Sequence, residues 1–492
     1  MPFEAPPPDT SWRERTDRAA LTRELQGLVG ERWVLHEPPD LMVYEADGLT
    51  VETAAPDWVV LPADTRQVAE VVRLCDRQGI PFVPRGAGTG LTGGCVPEAG
   101  GVVLSLARMD KVLDVDEVQH TAVVQPGAVN LWVSKAAAPQ RLYFAPDPAS
   151  QQACTVGGNV ATNAGGPHCL KYGVTTNHIL GVVLVRPDGE ILKLGGRTLD
   201  APGYDLVGLV VGSEGTFGVV TEIVVRLLPV PETVRTFLAV FEDIDAASRC
   251  VSALIAAGIV PAALEMMDRL TLQAVEPFAR AGLPTDAGAA LLVELDGPKP
   301  GMPQLKERAV EITRAHRPRE IREARTEDER ALLWKARKSA FGAFGRVSSG
   351  LHVMDGVVPR SRIPEALRRI AEISARHRVR CANVFHAGDG NLHPNILYQA
   401  DDPDEIRRAV EASHEILHMC VELGGTISGE HGIGHEKRDL MQLLYSEADL
   451  DLMNRVRLLF NPRNLCNPGK VFPAGRGCGE MRRHYAVEGA WI

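Results

Sequence analysis

The feature that most constrains the fold is a glycine-rich loop at residues 84–94, PRGAGTGLTGG, which contains the pattern G-x-G-x-x-G. In a Rossmann fold this pattern follows a strand and opens directly into a helix, so that a pyrophosphate lies at the helix N-terminus. IPFVP at 80–84 predicts a short strand, but no helix can begin after it because the next residues include Gly93, Gly94, Pro97, Gly100 and Gly101. The loop therefore predicts a non-Rossmann fold in which bare backbone N–H groups cradle an anion.

Bulk properties exclude several classes of protein. A chain of 492 residues is too long for one core and predicts two or three domains. Its net charge of -10 argues against nucleic acid or an anionic membrane as the main partner. No apolar run approaches the roughly 18 residues of a membrane span, and the start, MPFEAPPPDT, lacks the features of a signal peptide. We therefore expect a cytoplasmic protein.

The cysteine spacing excludes several kinds of cysteine-built centre within the chain. Nine cysteines are scattered without any C-x-x-C pair. This spacing argues against a disulfide framework and against a four-thiolate zinc or iron–sulfur centre within the chain. If the protein passes electrons onward, the acceptor is another protein or a small molecule.

The periodicity predicts two units separated near the prolines of LLPVPETV at 227–234. A helical N-terminal segment, 11–30, precedes an α/β pattern in which Asp188-Gly189 signals a hairpin. The second unit mixes helices with the predicted strands TFLAVF, AALLVELD, CANVFH and NLHPNILY, and ends in a long helix from about 403 to 423.

Further glycine-rich stretches identify a family. TVGGNVATNAGG at 155–166 and GSEGTFGVVTE at 212–222 repeat the small hydroxyl and amide residues of the first loop. From about residue 50 to 473 the chain resembles FAD-linked oxidases of the vanillyl-alcohol-oxidase type, in particular the flavin subunit of glycolate oxidase, D-lactate dehydrogenase and D-2-hydroxyglutarate dehydrogenase. The resemblance implies an α+β fold: a two-subdomain, non-Rossmann FAD-binding domain with an inserted α/β substrate-cap domain and a C-terminal segment that returns to the flavin.

On this basis we expect four regions: an N-terminal helical segment at 1–50, the FAD-binding domain at 51–230, the substrate-cap domain at 231–423 and the C-terminal segment at 424–492. The resemblance also implies FAD contacts from Arg85, Gly86, Ala87, Gly88, Thr89, Gly90, Pro146, Ser150, Thr155, Gly158, Asn159, Thr162, Gly218, Val220 and Asn467. The 84–94 loop contains no histidine, and Cys95 falls outside the usual attachment position, so we expect FAD to be bound non-covalently.

A second site follows from spacing alone. In CANVFHAGDGNLHPNILY at 381–398, two apolar segments flank a turn-rich loop and predict a hairpin. If residue 386 pairs with residue 391, alternation places His386, Asn391, His393 and Asn395 on one face. The two histidines are then diagonal neighbours within reach of one ion.

A carboxylate would complete a divalent metal site, and SGEHGIGHEKR at 428–438 supplies Glu430. A metalloprotease motif is excluded because no histidine stands four positions after His435. The family resemblance implies His386, His393 and Glu430 as ligands of Zn, Mn or Fe, with His431 as the catalytic base and Asn395 as a substrate contact.

The resemblance also implies the reaction and the substrate. A metal-assisted deprotonation by His431 and a hydride transfer to the flavin convert a D-2-hydroxy acid to a 2-oxo acid, while Arg337 binds the substrate carboxylate. Relatives that act on 2-hydroxyglutarate carry a hydroxyl residue and a lysine for the second carboxylate, where this chain has Phe341 and the segment LHVMD. We therefore expect glycolate or D-lactate as the substrate, and an iron–sulfur subunit or a quinone-linked acceptor for the electrons.

Three alternatives stay open at this point. The chain could be a 2-hydroxyglutarate-type dehydrogenase with a different pocket. It could be a metal-dependent hydrolase, which leaves the glycine loops unexplained. It could also be a non-catalytic flavin subunit of an electron-transfer complex. Whether the chain forms a homo-oligomer is equally open.

Overall fold

A computed structural model of the chain describes residues 10–199 and 202–474. The chain divides into two compact units. Among the described residues, unit 1 contains 10–165, 174–199, 202–230 and 430–474, and unit 2 contains Gly166–Gly173 and Pro231–Gly429. The domain limits expected from the sequence stay a prediction, and their outermost residues, 1–9 and 475–492, lie outside the described part. In that described part, no helix is both long enough and apolar enough to cross a membrane.

The strands of the described residues are, in chain order, β1 (Val34–Leu35), β2 (Trp58–Val60), β3 (Phe82–Arg85), β4 (Val102–Ser105), β5 (Val112–Asp116), β6 (Thr121–Val124), β7 (Leu142–Tyr143), β8 (Ile179–Val185), β9 (Ile191–Gly195), β10 (Val219–Arg226), β11 (Leu228–Pro229), β12 (Thr233–Phe241), β13 (Ala263–Asp268), β14 (Ala289–Gly297), β15 (Glu320–Glu323), β16 (Gly350–Val353), β17 (Gly356–Val357), β18 (Arg380–His386), β19 (Asn391–Leu392) and β20 (Pro394–Tyr398).

The α-helices of the same residues are α1 (Trp12–Arg15), α2 (Arg18–Val29), α3 (Pro38–Leu41), α4 (Thr65–Gln78), α5 (Asn130–Ala137), α6 (Val156–Thr162), α7 (Cys169–Tyr172), α8 (Leu206–Val210), α9 (Ile244–Ala256), α10 (Arg269–Ala279), α11 (Met302–Ala315), α12 (Glu327–Lys338), α13 (Ala340–Phe344), α14 (Ile363–His377), α15 (Pro403–Glu422) and α16 (Glu447–Phe460).

Unit 1 is built on two sheets, each with its own apolar core. In the first, of order β1-β2-β4-β3, strands β2 and β3 run parallel to β4. The connection from β3 to β4, residues 86–101, contains no helix, which confirms that the G-x-G-x-x-G pattern is not a Rossmann fingerprint. The second sheet has the order β5-β6-β10-β8-β9, and its β8–β9 hairpin turns at Asp188-Gly189 as predicted.

Unit 2 is built on a nine-stranded sheet of order β15-β12-β14-β13-β18-β19-β17, to which β20 and β16 are joined through β18. Its paired strands are antiparallel. Strand β13 lies in the middle of this sheet and is buried along almost its whole length, with the pattern BBBBBi from Ala263 to Asp268. The sequence analysis did not predict β13, because a strand buried on both faces shows no alternation of polar and apolar residues.

Candidate functional site

The glycine loop of unit 1 lies against the start of α6. A Cβ atom at Gly86 would come within 2.4 Å of the Oγ1 atom of Thr155. This hydroxyl accepts a hydrogen bond from the backbone N–H of Gly158 at 3.2 Å and so caps the helix. The structure therefore brings together three residues that the family resemblance assigns to FAD, and glycine is required at position 86 because any side chain would displace the helix cap.

The side chain of Arg85 packs beside this loop and hydrogen-bonds to a neighbouring segment. It is buried, and its Nη1 donates a hydrogen bond to the carbonyl of Ala46 at 2.8 Å and lies 3.2 Å from the Cys95 sulfur. Gly88 has a φ of +70°, and a Cβ there would come within 2.3 Å of the Arg85 guanidinium. Burial raises the pKa of the Cys95 thiol to about 11, so the thiolate needed for covalent attachment is scarce at neutral pH.

Asn130 joins two other predicted FAD residues and was missed by the sequence analysis. Its Nδ2 donates to the carbonyl of Pro146 and to the side-chain oxygen of Asn159, both at 3.0 Å. The carbonyl of Ser150 accepts two backbone N–H groups just before α6, and Thr162 bonds back within the helix. The signal for Asn130 was weak, because one amide at the start of a helix is also an ordinary capping residue.

The C-terminal segment returns to the glycine-rich stretches of unit 1. Asn467, buried and with a φ of +46°, donates from Nδ2 to the carbonyls of Gly94 at 2.9 Å and Glu214 at 2.7 Å. Its Oδ1 is buried without a hydrogen-bond partner among the residues that the structure describes. At Gly218, a Cβ would come within 2.4 Å of the Val185 carbonyl, and Val220 pairs with Leu184 in the β10–β8 ladder.

These features fit a dinucleotide. Gly86, Gly88 and Gly218 pack against the protein itself on the side where a Cβ atom would lie, and backbone N–H groups of a glycine-rich loop can approach phosphates closely. The orphaned Oδ1 of Asn467 is an acceptor that a donor of the bound cofactor would satisfy. The residues present in unit 1 are therefore compatible with FAD.

Glu214 fixes the loop that carries Glu430 and His431. Its buried carboxylate accepts the backbone N–H groups of Ile433 and Gly434, both at 2.6 Å. Burial raises the pKa of Glu214, and the two backbone donors partly oppose this effect. Glu430 and His431 are half-buried at the start of this loop, the last segment of unit 1.

The second histidine of the loop does not belong to a metalloprotease helix. His435 Nδ1 lies 2.7 Å from Glu98, whose carboxylate also pairs with Arg438 at 2.8 Å and with the buried Lys470 at 2.6 Å. Residues 430–437 contain no helix. The exclusion of a metalloprotease motif is therefore confirmed, and His435 belongs to a buried charge network.

The predicted hairpin is present in unit 2, with the predicted register. His386 pairs with Asn391, and Ala382 pairs with Asn395. All four polar residues of the predicted face are buried: His386, Asn391, His393 and Asn395. The rings of His386 and His393 lie 5.0 Å apart between centroids and nearly perpendicular, at 89°. The prediction that the two histidines are diagonal neighbours across the hairpin is thus confirmed.

Buried oxygen atoms hold both histidine rings. His386 Nδ1 lies 2.8 Å and 3.0 Å from the two carboxylate oxygens of Glu265, and His393 Nδ1 lies 3.0 Å from the carbonyl of Met354. Since a carboxylate and a carbonyl only accept, each Nδ1 carries a proton that it donates to its oxygen partner. Metal-binding histidines are commonly oriented by a neighbouring oxygen in this way.

Glu265 also binds the predicted substrate arginine. Arg337 Nη2 lies 2.6 Å from Glu265 Oε2, and the two side chains are 3% and 0% exposed. Arg337 is therefore not an arginine on a solvated helix face. Its Nε is buried with no hydrogen-bond partner in the described part of the chain.

Asp355 is a buried carboxylate beside His393 that the sequence analysis did not single out. Its Oδ1 lies 4.0 Å from His393 Nδ1. Its Oδ2 accepts hydrogen bonds from the Ser428 hydroxyl at 2.7 Å and from the Gly429 backbone N–H at 2.9 Å. Asp355 thus holds the two residues that directly precede Glu430 in the chain.

Unit 2 therefore presents donors that fit a divalent metal and a carboxylate ligand. Two oriented imidazoles with a nearby carboxylate suit Zn, Mn or Fe. The side-chain oxygen of Asn395 is buried and unpaired within residues 10–199 and 202–474, as is Arg337 Nε. Orphaned donors and acceptors of this kind indicate a polar ligand.

Comparisons with known proteins agree with these features. Residues 56–195 match the sequence family described as FAD binding domain, and residues 230–471 match the family described as FAD linked oxidases, C-terminal domain. The glycolate oxidase subunit GlcD of Escherichia coli (strain K12) is 46% identical over 94% of this chain and 93% of its own length. A D-lactate dehydrogenase of Anaerostipes hadrus is 34% identical over 85% of this chain and 90% of its own.

A solved structure shares the fold. The crystal structure of p-cresol methylhydroxylase with substrate bound superimposes with a TM-score of 0.80 at 18% identity, covering 93% of this chain and 98% of that one. The α+β, non-Rossmann FAD fold expected from the sequence is therefore confirmed.

Proposed function

Because this chain belongs to the FAD-linked oxidase family, we propose that it oxidises a small 2-hydroxy acid to the 2-oxo acid with non-covalent FAD. The observation that carries the proposal is the buried His386–His393 pair, whose rings are oriented by Glu265 and Met354. Such a pair suits a substrate that is also a metal chelator.

We assign His386, His393 and Glu430 as ligands of Zn, Mn or Fe, as the family resemblance implies. A bound FAD would supply the hydride acceptor for C2 of the acid, and a bound divalent metal would supply the positive charge that lowers the pKa of the substrate hydroxyl. His431 then takes the hydroxyl proton, since an imidazole is an effective base near neutral pH. Glu214, through Ile433 and Gly434, keeps the loop that carries His431 in place.

The other predicted contacts orient the acid. Arg337 binds its carboxylate through Nε, which has no hydrogen-bond partner among the described residues, while Nη2 contacts Glu265. The orphaned oxygen of Asn395 accepts a hydrogen bond from the substrate. Phe341, half-buried just after α12, offers nothing to a second carboxylate, so glycolate or D-lactate is favoured over 2-hydroxyglutarate.

We further propose that the electrons pass to an iron–sulfur partner subunit or a quinone-linked acceptor. No disulfide links the eight cysteines of the described residues, and the Escherichia coli relative is itself named a subunit. Purification of a tagged chain from its native host should recover a cysteine-rich companion. Recovery of the chain without one would refute the iron–sulfur subunit and leave the quinone-linked acceptor. Cytoplasmic location stays a prediction.

The test is an anaerobic titration of the purified protein with glycolate, D-lactate, L-lactate and D-2-hydroxyglutarate, followed by flavin absorbance. We expect bleaching by glycolate or D-lactate, and a rate lowered about 10²–10⁴-fold by His431→Ala. Bleaching by D-2-hydroxyglutarate alone would identify the related dehydrogenase. Yellow protein bleached by no hydroxy acid would indicate an electron-transfer subunit, and colourless protein that cannot bind added FAD would favour the hydrolase.

A further inference from the structure

We propose that Glu265 is a positioning residue shared by the metal ligand His386 and the substrate-binding Arg337. The inference rests on the proposed function and adds to it a residue that orients two different parts of the site at once. It predicts that metal retention and substrate affinity depend on one carboxylate that touches neither metal nor substrate.

Glu265 reaches its two partners from a rigid place in unit 2. It lies directly opposite His386 in the β13–β18 ladder, so their side chains share one face of the sheet. Arg337 comes from the last turn of α12. The carboxylate contacts His386 at 2.8 Å and Arg337 at 2.6 Å and is completely buried. Three elements therefore meet at one carboxylate.

This arrangement gives Glu265 two separate effects. As an acceptor of the His386 Nδ1 proton, it fixes the ring orientation and makes Nε2 the atom through which this ring would bind a metal. As the counter-ion of Arg337, it allows a buried guanidinium to keep its charge. Because Arg337 Nε has no partner among the described residues, the guanidinium retains a donor for a substrate carboxylate.

Glu294 provides a matched control in the same sheet. It is a buried carboxylate on β14, next to β13, and it also binds an arginine and a histidine. Arg330 donates to it at 2.8 Å and 2.9 Å, and His168 Nε2 lies 3.4 Å away. Its other donors are Thr236 and Trp334, so its partners include none of the residues assigned to the reaction.

The test compares Glu265→Gln with Glu294→Gln in the full-length, FAD-loaded protein. Metal bound per chain is measured by elemental analysis against increasing EDTA, and KM and kcat are measured with the acid that bleaches the flavin. A glutamine at 265 can accept from only one partner and turns its NH₂ group toward the other donor. We expect the EDTA concentration that removes half of the metal to fall about 10–100-fold, KM to rise at least tenfold and Glu294→Gln to change neither value.

Glu265→Asp is a second variant that keeps the test valid if Glu265→Gln fails to fold. It keeps the negative charge that buried Arg337 needs, but it is one methylene too short to reach both partners. We expect this variant to shift at least one of the two readouts. Folded, FAD-loaded Glu265→Gln and Glu265→Asp that retain both metal and KM would overturn the proposal. A wild-type protein that never binds metal would instead overturn the metal part of the proposed function, and KM alone would then test the link to Arg337.

Discussion

Replacing Gly90 by alanine separates binding of the cofactor from folding of the loop. A Cβ atom at Gly90 meets nothing closer than Asp47 Oδ2, at 3.6 Å, which is an ordinary contact. Gly94, in the same loop, has similar room, with Thr92 Oγ1 at 3.8 Å. Neither glycine has a left-handed φ. The protein therefore accepts alanine at both positions, but only Gly90 belongs to the backbone that we expect to cradle the FAD pyrophosphate.

The expected magnitudes follow from this geometry. Each substitution should change the free energy of unfolding of the FAD-free protein by less than about 1 kcal/mol, and an increase is expected because alanine restricts the unfolded chain. At position 90 the new methyl group would hold the phosphates away from the backbone. Loss of one charge-assisted hydrogen bond costs about 1.5–3 kcal/mol, which is roughly a 10–150-fold increase in the Kd for FAD.

The assay removes FAD from wild type, Gly90→Ala and Gly94→Ala, and titrates it back while flavin fluorescence is followed. Thermal unfolding of each FAD-free protein reports on the fold. Only Gly90→Ala should lose affinity, while both FAD-free variants should be as stable as the wild type or up to about 1 kcal/mol more stable. Wild-type affinity in Gly90→Ala would refute the assignment of this loop to the pyrophosphate. Equal losses in both variants would show that loop conformation, and not close approach of the cofactor, controls binding.

Three other substitutions test carboxylates of unit 1 that are buried or partly buried. Glu214→Gln should lower kcat at least tenfold with FAD content unchanged, because a glutamine side chain has one acceptor oxygen for the two backbone N–H groups that Glu214 binds in the loop carrying His431. Unchanged kcat in stopped-flow reduction would contradict this role. Burial raises the pKa of the Asp47 carboxyl from its ordinary 3.8 to about 6. Ionised Asp47 is therefore less favourable in the folded than in the unfolded chain, and the folded state loses stability as pH rises from 3.8 through 6. The stability gained by Asp47→Asn in urea unfolding should therefore be about 1.5 kcal/mol larger at pH 8 than at pH 5. For Glu98, burial opposes ionisation, but Lys470, His435 and Arg438 outweigh it and hold the pKa below its ordinary 4.5. The stabilisation that ionised Glu98 contributes is complete above pH 4.5 and is lost below it. Glu98→Gln should therefore lower the free energy of unfolding by about 3–5 kcal/mol at pH 7 and by clearly less near pH 3.

Local features of the sequence were sufficient for much of this structure. The missing helix after Gly93 and Gly94 excluded a Rossmann fold, because backbone preferences act within a few residues. The hairpin that carries His386 and His393 was predicted with its register, since a two-residue period and a turn-rich loop determine pairing locally. The roles of the individual site residues came from the family resemblance and stay predictions.

The residues that hold the site together were visible only in the tertiary structure. Glu265 lies 121 residues from His386 in sequence, on a strand whose burial on both faces leaves no periodic signal. Glu214 contacts a loop about 220 residues away, and Asp355 contacts one 74 residues away. A buried carboxylate is stable only when the fold brings donors to it from distant segments. Sequence patterns therefore identified groups able to do the chemistry, whereas long-range packing decided which carboxylates orient them.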